Sequence, residues 1–194
     1  MSKLAMSKRI AFLSAAFGAL ALTAVIVAPV SAQDNKMSGE KTVMVGGAAM
    51  FPSKNIVQNA VNSKDHTTLV AAVKAAGLVD TLESKGPFTV FAPTNAAFGK
   101  LPAGTVDTLV KPENKATLTR ILTYHVVPGK LEASSLSDGK KLKTVEGEEL
   151  TVKRSGDTVM IVDAKGGSST VTIPNVNQSN GVIHVVDTVL MPAS

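Results

Sequence analysis

The chain has 194 residues, of which 44% are hydrophobic and 18% are charged, and its sequence contains no cysteine. The hydrophobic content excludes a disordered chain, and the absence of thiols excludes disulfides, cysteine-ligated metals, a cysteine nucleophile and a lipoprotein anchor. The formal net charge of +5 does not indicate a nucleic-acid-binding protein, because three of the cations stand before residue 10 and residues 33–194 carry only +2.

The first 32 residues carry the parts of a bacterial signal peptide in the usual order. A basic start without acids precedes an uncharged apolar run over residues 10–27. Pro29 then interrupts the helical pattern, and small side chains at Val30 and Ala32 suit a signal-peptidase site. We therefore predict that residues 1–32 are a signal peptide cleaved after Ala32. The alternative is a retained membrane helix, because about 18 apolar residues is the lower limit for spanning a bilayer.

The segment after the predicted cleavage site, residues 33–52, is rich in Gly, Ala, Ser and Met. Its apolar residues follow no sustained period, so we interpret it as a flexible leader. The spacing of its methionines fits no defined metal site. A single folded domain is predicted over residues 53–194.

The first half of this domain has apolar residues mainly at helical spacing. One β-branched and aromatic run, residues 88–91, predicts a strand among the helices. Asn95 is expected to cap the short helix that follows this strand. The predicted helices contain residues 56–61, 69–76, 78–82, 96–98, 104–110 and 112–125.

The second half changes its apolar period from about 3.6 to 2 after residue 139, which predicts β-strands. The predicted strands are residues 141–145, 149–153, 158–162, 169–173 and 181–190. Helices in the first half and strands in the second half predict an α+β fold rather than an alternating parallel α/β fold.

Three segments resemble, in order, the motifs of the fasciclin (FAS1) domain family. Residues 89–98 (TVFAPTNAAF) resemble the first signature segment, residues 124–129 (YHVVPG) the tyrosine–histidine motif, and residues 180–190 (NGVIHVVDTVL) the second signature segment. The likeness extends over residues 55–192. It implies a fasciclin-like fold, a wedge or sandwich of β-strands flanked by several helices, in an extracytoplasmic and non-enzymatic adhesion or recognition protein.

The tyrosine–histidine motif supplies the candidate binding residues, Tyr124 and His125. In animal members of the family this motif is associated with integrin binding, so the resemblance implies a partner- or ligand-binding role for these two residues. The other histidines, His66 and His184, show no metal-ligand spacing. We interpret His125 and His184 as hydrogen-bonded core residues rather than ligands. No nucleophile elbow, phosphate loop, dinucleotide fingerprint or zinc-protease motif is present, so we predict no catalytic residue, no cofactor and no metal site.

Two functions remain open from the sequence. The first is an exported adhesion or protein-interaction module of the periplasm, cell surface or extracellular space, which binds a protein or matrix partner as a monomer without a membrane anchor. The second is a carrier of a small hydrophobic ligand such as a carotenoid or lipid, held in an apolar groove beside the tyrosine–histidine motif. An enzyme is a third hypothesis, and it would need a polar cluster assembled from distant segments.

Overall fold

The computed structural model describes residues 41–193, in which helices pack against a seven-stranded sheet. The predicted signal peptide and residues 33–40 of the predicted leader lie outside the described residues. The strands are β1 (Val43–Val45), β2 (Ala48–Met50), β3 (Phe88–Pro93), β4 (Val126–Pro128), β5 (Lys141–Lys143), β6 (Glu149–Ser155), β7 (Thr158–Val162), β8 (Ser168–Gln178) and β9 (Gly181–Val186). The α-helices are α1 (Ile56–Ala60), α2 (Thr67–Ala76), α3 (Val79–Glu83), α4 (Asn95–Gly99), α5 (Thr105–Leu109) and α6 (Lys115–Tyr124). None of these helices is long and apolar enough to cross a membrane.

The sheet has the strand order β4-β3-β9-β8-β7-β6-β5 and is nearly closed. Its two edges approach each other, because the Val145 N–H, two residues after β5, donates to the Val126 carbonyl in β4 at 2.7 Å. The pair β3 and β9 is parallel, whereas the other adjacent pairs are antiparallel. This arrangement confirms the predicted α+β class and fasciclin-like fold.

The parallel strands β3 and β9 separate two hydrophobic cores. Val90 and Ile183 face a core shared with the helices. Phe91 and Val186 face a second core, to which β4–β7 and Tyr124 at the end of α6 contribute. Successive side chains of a strand point to opposite faces, so one strand can supply both cores. All six residues of β9 are buried, as expected for a strand that is covered on both faces.

The predicted flexible leader is wrong for residues 43–50, which form an antiparallel β1–β2 hairpin. Val45 and Met50 are each only 3% exposed and belong to the helix-side core. The turn uses glycine at a positive φ of 58°, and a Cβ at Gly46 would collide with the Ser63 hydroxyl. The strands are only three residues long, too short for their alternation to predict them from sequence.

The predicted capping role of Asn95 is also wrong, because Thr94 caps α4. The Thr94 hydroxyl accepts from the Ala97 N–H at 3.2 Å. The Asn95 side chain instead reaches the start of α2, where its Oδ1 accepts from the Thr68 N–H at 3.0 Å. A helix start leaves its first N–H groups without partners in the helix, so Asn95 satisfies one of them from another element.

The last predicted strand ends earlier than expected, since β9 stops at Val186 instead of residue 190. One backbone hydrogen bond continues beyond it, from the Asp187 N–H to the Thr170 carbonyl at 3.1 Å, and side chains make the other contacts. The Asp187 carboxylate accepts from the Thr170 N–H at 2.8 Å, and the Thr188 N–H donates to the Ser169 hydroxyl at 3.0 Å. Polar side chains just after a strand compete for its backbone groups in this way.

Candidate functional site

Tyr124, the first residue of the tyrosine–histidine motif, ends α6 with its side chain fully buried. Its hydroxyl accepts from the Ala164 N–H at 2.9 Å and donates to the Glu149 carbonyl at 3.4 Å. Burial raises the pKa of Tyr124 to about 12, against the lowering effect of the Ala164 N–H. The hydroxyl therefore stays neutral and joins α6 to the strands of the second core.

His125 follows Tyr124 at the end of α6 and is 2% exposed. Its Nδ1–H donates to the Ile121 carbonyl at 2.8 Å, and its Nε2 accepts from the Leu190 N–H at 3.0 Å. Because an amide N–H only donates, Nε2 carries no proton and the ring is neutral. Burial lowers the pKa of His125 to about 4, against the raising effects of the Ile121 carbonyl and Asp163.

The two predicted binding residues thus lie together in the interior. A macromolecular partner does not reach either side chain in this conformation, because Tyr124 is 0% exposed and His125 is 2% exposed. Their contacts hold α6 on the sheet. Their binding role stays a prediction, and His125 alone of the two lines the apolar cavity described below.

His184 lies at the centre of β9 with both ring nitrogens bonded. Its Nε2–H donates to the Leu131 carbonyl at 2.8 Å, and its Nδ1 accepts from the Asn175 N–H at 3.3 Å. The ring stacks on Phe91 with 5.7 Å between centroids. The interpretation of His125 and His184 as hydrogen-bonded core histidines is confirmed. Within residues 41–193, no three His, Asp or Glu side chains are grouped as metal ligands.

An apolar cavity of about 80 Å³ lies between α1–α3, the end of α6 and the helix-facing side of β3 and β9. Its wall includes Val73, Leu82, Val90 and Ile183. Val145, which is 45% exposed, also belongs to the wall. Small-molecule sites are typically apolar pockets with few polar groups, so this cavity is a candidate ligand site.

His66 also belongs to this wall, and it was not predicted from the sequence as a site residue. It is 3% exposed, and its Nδ1 lies 2.9 Å from the Ser63 hydroxyl. Its Nε2 is buried. Burial lowers the pKa of His66, although the nearby Ala92 carbonyl and Asp65 act in the opposite direction.

Helical spacing was the available signal for His66, which stands one residue before α2. It lies three residues before Leu69 and seven before Val73, which belong to the buried stripe of that helix. This periodicity predicts that the ring points inward. It does not predict a cavity beside the ring, because the opposite walls come from segments distant in sequence.

Comparisons with known proteins agree with these features. The family model of the fasciclin domain matches residues 64–192. Protein sll1483 of Synechocystis sp. is 47% identical over 164 residues, which cover 84% of this chain and 88% of that protein. Immunogenic protein MPB70 of Mycobacterium bovis is 41% identical over 138 residues, or 69% of this chain and 66% of that one.

Two further similarities concern the cell surface and the fold. Cell surface glycolipoprotein MPB83 of Mycobacterium bovis is 40% identical over 153 residues, covering 76% of this chain and 64% of that protein. The solved FAS1 domain pair of the insect cell adhesion molecule Fasciclin I superposes with a TM-score of 0.65 at 19% identity. This match covers 73% of the chain and 52% of the insect structure, and it shows a shared fold.

Proposed function

Since this chain belongs to the fasciclin domain family, we propose that it is an exported, non-catalytic adhesion or protein-interaction module. It acts in the periplasm, at the cell surface or outside the cell, where it binds a protein or matrix partner. The observation that carries this proposal is the similarity to a mycobacterial cell surface glycolipoprotein over three quarters of the chain. The predicted signal peptide supports the same location.

The chemistry of the interior supports a non-catalytic role. Tyr124, His125 and His184 all have their polar atoms engaged in hydrogen bonds to backbone groups. Burial moves the pKa of Tyr124 up and those of both histidines down. These groups therefore remain neutral near pH 7 and have no free hydrogen-bonding atom for a substrate.

A bead-binding assay tests the adhesion function. Fluorescent beads carrying the purified protein are mixed with intact cells of the producing bacterium. Uncoated beads mixed with the same cells are the control. We expect saturable bead attachment that excess soluble protein abolishes. Attachment equal to that of beads coated with heat-unfolded protein would contradict the proposal.

Fractionation of the same cells tests export, because the mature protein should begin at Gln33 and leave the cytoplasm.

The apolar cavity favours a second candidate function, a carrier of a small hydrophobic ligand. Its volume of about 80 Å³ is roughly half that of an engineered cavity of about 150 Å³ that holds benzene. A carotenoid or a lipid chain would therefore have to push the surrounding helices apart, whereas a compact molecule needs little movement. Native mass spectrometry and an absorption spectrum of protein purified from its own host test for a bound molecule.

A further inference from the structure

We propose that Asn180 is a covalent modification site, at which the backbone nitrogen of Gly181 attacks the side-chain amide and expels ammonia. The native fold blocks this deamidation, so the reaction takes place in the unfolded chain. The deamidated chain no longer folds, because the native contacts of Asn180 require an amide. The inference is independent of the adhesion function and of the carrier function.

The chemistry follows from the sequence, because Asn180 is the one asparagine of the chain that a glycine follows. Glycine has no side chain to hinder its backbone nitrogen or to restrict its backbone dihedrals. The Gly181 nitrogen forms a bond to Cγ of Asn180 while the bond from Cγ to Nδ2 breaks, and ammonia leaves with the Gly181 amide proton. Water then opens the resulting cyclic imide, and the products are aspartate and isoaspartate.

The first argument is the way in which the fold holds the Asn180 side chain. Asn180 is 6% exposed. Its Oδ1 accepts from the Ile56 N–H at 3.1 Å, and its Nδ2 donates to the carbonyls of Leu82 at 2.7 Å and Ser84 at 2.9 Å. The imide forms only if Cγ comes within bonding distance of the Gly181 nitrogen. Such a movement pulls Oδ1 and Nδ2 away from these buried partners, which is unfavourable.

The second argument is the backbone on both sides of the reacting nitrogen. The Asn180 carbonyl accepts from the Phe88 N–H at 3.0 Å, and Gly181 lies opposite Phe88 in the parallel pair β3 and β9. A Cβ at Gly181 would collide with the Phe88 carbonyl oxygen, so β3 packs directly against the glycine backbone. The backbone around the Gly181 nitrogen therefore moves only if these two central strands separate. In the unfolded chain this obstacle is absent.

The third argument concerns the products, which do not fit the site of Asn180. An ionised carboxylate accepts hydrogen bonds but donates none. Aspartate would therefore place an oxygen against the carbonyl oxygens of Leu82 and Ser84, and its charge would be buried among backbone groups. Isoaspartate also lengthens the backbone by one carbon in the turn where Gln178 pairs with Gly181. Both products therefore oppose the return of the chain to the native fold.

Peptide mass spectrometry tests the reaction and its protection by the fold. Native protein and protein unfolded in guanidinium chloride are incubated side by side in the same mildly alkaline buffer. Residues 166–194 form one tryptic peptide, in which Asn177 precedes glutamine and serves as the internal control. We expect Asn180 to convert faster than Asn177 in the unfolded chain. In the native protein Asn180 should convert at least about 100-fold more slowly, because the reaction requires an opening of buried structure.

Refolding tests the fate of the product. A partly converted sample is transferred from guanidinium chloride to native buffer, and size-exclusion chromatography separates the refolded chains from the rest. Chains deamidated at Asn180 should be depleted from the refolded pool at least about tenfold, because a buried unpaired charge is strongly destabilising. Asn180→Asp reproduces one product and should also fail to refold. Asn177→Asp is the matched control and should refold like the wild type.

Each part of the inference has an outcome that overturns it. Equal conversion of Asn180 in native and unfolded protein would disprove the protection by the fold. Deamidated chains that refold in the same proportion as unmodified chains would disprove the loss of folding. Gly181→Ala tests the attacking nitrogen, and it is measured in guanidinium chloride so that its folding does not matter. The added methyl group hinders that nitrogen and should slow the conversion, whereas an unchanged rate would refute the role of Gly181.

Discussion

The backbone N–H of Leu190 donates a hydrogen bond to Nε2 of His125, which stands 65 residues earlier in the chain. The His125 carbonyl in turn accepts from the Phe91 N–H at 2.9 Å. Phe91 belongs to the first signature segment, His125 to the tyrosine–histidine motif and Leu190 to the second signature segment. His125 therefore connects all three motifs, and their joint occurrence in one chain has a structural reason.

Replacement of His125 should destabilise the domain. In His125→Leu the Leu190 N–H stays buried without an acceptor, and we expect a loss of about 2–3 kcal/mol in the free energy of unfolding. Urea unfolding measures this change. His125→Gln is the matched control, because its side-chain oxygen can accept the Leu190 N–H and should restore part of the stability. A stable His125→Leu that loses only partner binding would instead support the predicted binding role.

The stability of the domain should fall as the pH drops from 6.5 towards 4. The pKa of His125 is lowered from 6.5 to about 4 in the folded state, chiefly by burial. Over this interval His125 becomes protonated in the unfolded chain but stays neutral in the folded chain, so acidification favours unfolding. His125 alone contributes about 3 kcal/mol to this loss. Burial also lowers the pKa values of His66 and His184, which adds to the slope.

Urea unfolding at a series of pH values measures this dependence. His125→Gln should show a smaller loss between pH 6.5 and pH 4 than the wild type, because one of the three titrating histidines is gone. A wild-type stability that stays constant over this interval would show that the histidines are protonated in the folded protein.

Tyr124 should ionise only in strongly alkaline solution. The pKa of this residue is raised to about 12 by burial, and it is the single tyrosine in a chain without tryptophan. Phenolate absorbance near 295 nm therefore reports on this side chain alone. We expect a midpoint near pH 12 in the folded protein and near pH 10 in concentrated urea. A midpoint near 10 in the folded protein would mean that the hydroxyl is accessible to water.

Asn180 should contribute more to stability than its position in a turn suggests. Its Oδ1 accepts from the Ile56 N–H at 3.1 Å, and its Nδ2 donates to the carbonyls of Leu82 at 2.7 Å and Ser84 at 2.9 Å. Asn180→Ala leaves these groups without their partner, and we expect a loss of about 2–4 kcal/mol.

Asn177→Ala is the matched control for this substitution. The Asn177 Oδ1 has no hydrogen-bond partner within residues 41–193, and its Nδ2 makes one long contact of 3.4 Å. Its removal should change the free energy of unfolding by less than about 1 kcal/mol. Equal losses in the two variants would refute the role that we assign to Asn180.

The β1–β2 hairpin should be an integral part of the domain. Met50→Ala removes a side chain that is 3% exposed in the helix-side core, and we expect a loss of about 2–4 kcal/mol. Met44→Ala is the matched control on the same hairpin, because Met44 is 60% exposed. Thermal or urea unfolding compares the two variants. If Met50→Ala is as stable as Met44→Ala, residues 43–50 do not support the core.

Local pattern was sufficient to predict the class of fold. The change of apolar period after residue 139 indicated strands in the second half, and the run at 88–91 indicated the buried strand β3. Both signals arise because a strand buries alternate or all side chains and a helix buries a stripe. The burial of His125 and His184 was predictable for the same reason, since both stand among apolar residues of one element.

The tertiary structure decided the features that depend on contacts between distant segments. The Asn95 side chain serves α2 instead of its own helix, and Asn180 bonds to residues 96, 98 and 124 positions earlier. The cavity beside His66 exists only where α1–α3 meet β3 and β9. Periodicity specifies which side of an element is apolar, whereas the partner of a polar atom and the space beside a ring depend on how the elements pack. The sequence alone therefore determined which faces are buried, and the packing of those faces decided what each polar side chain does.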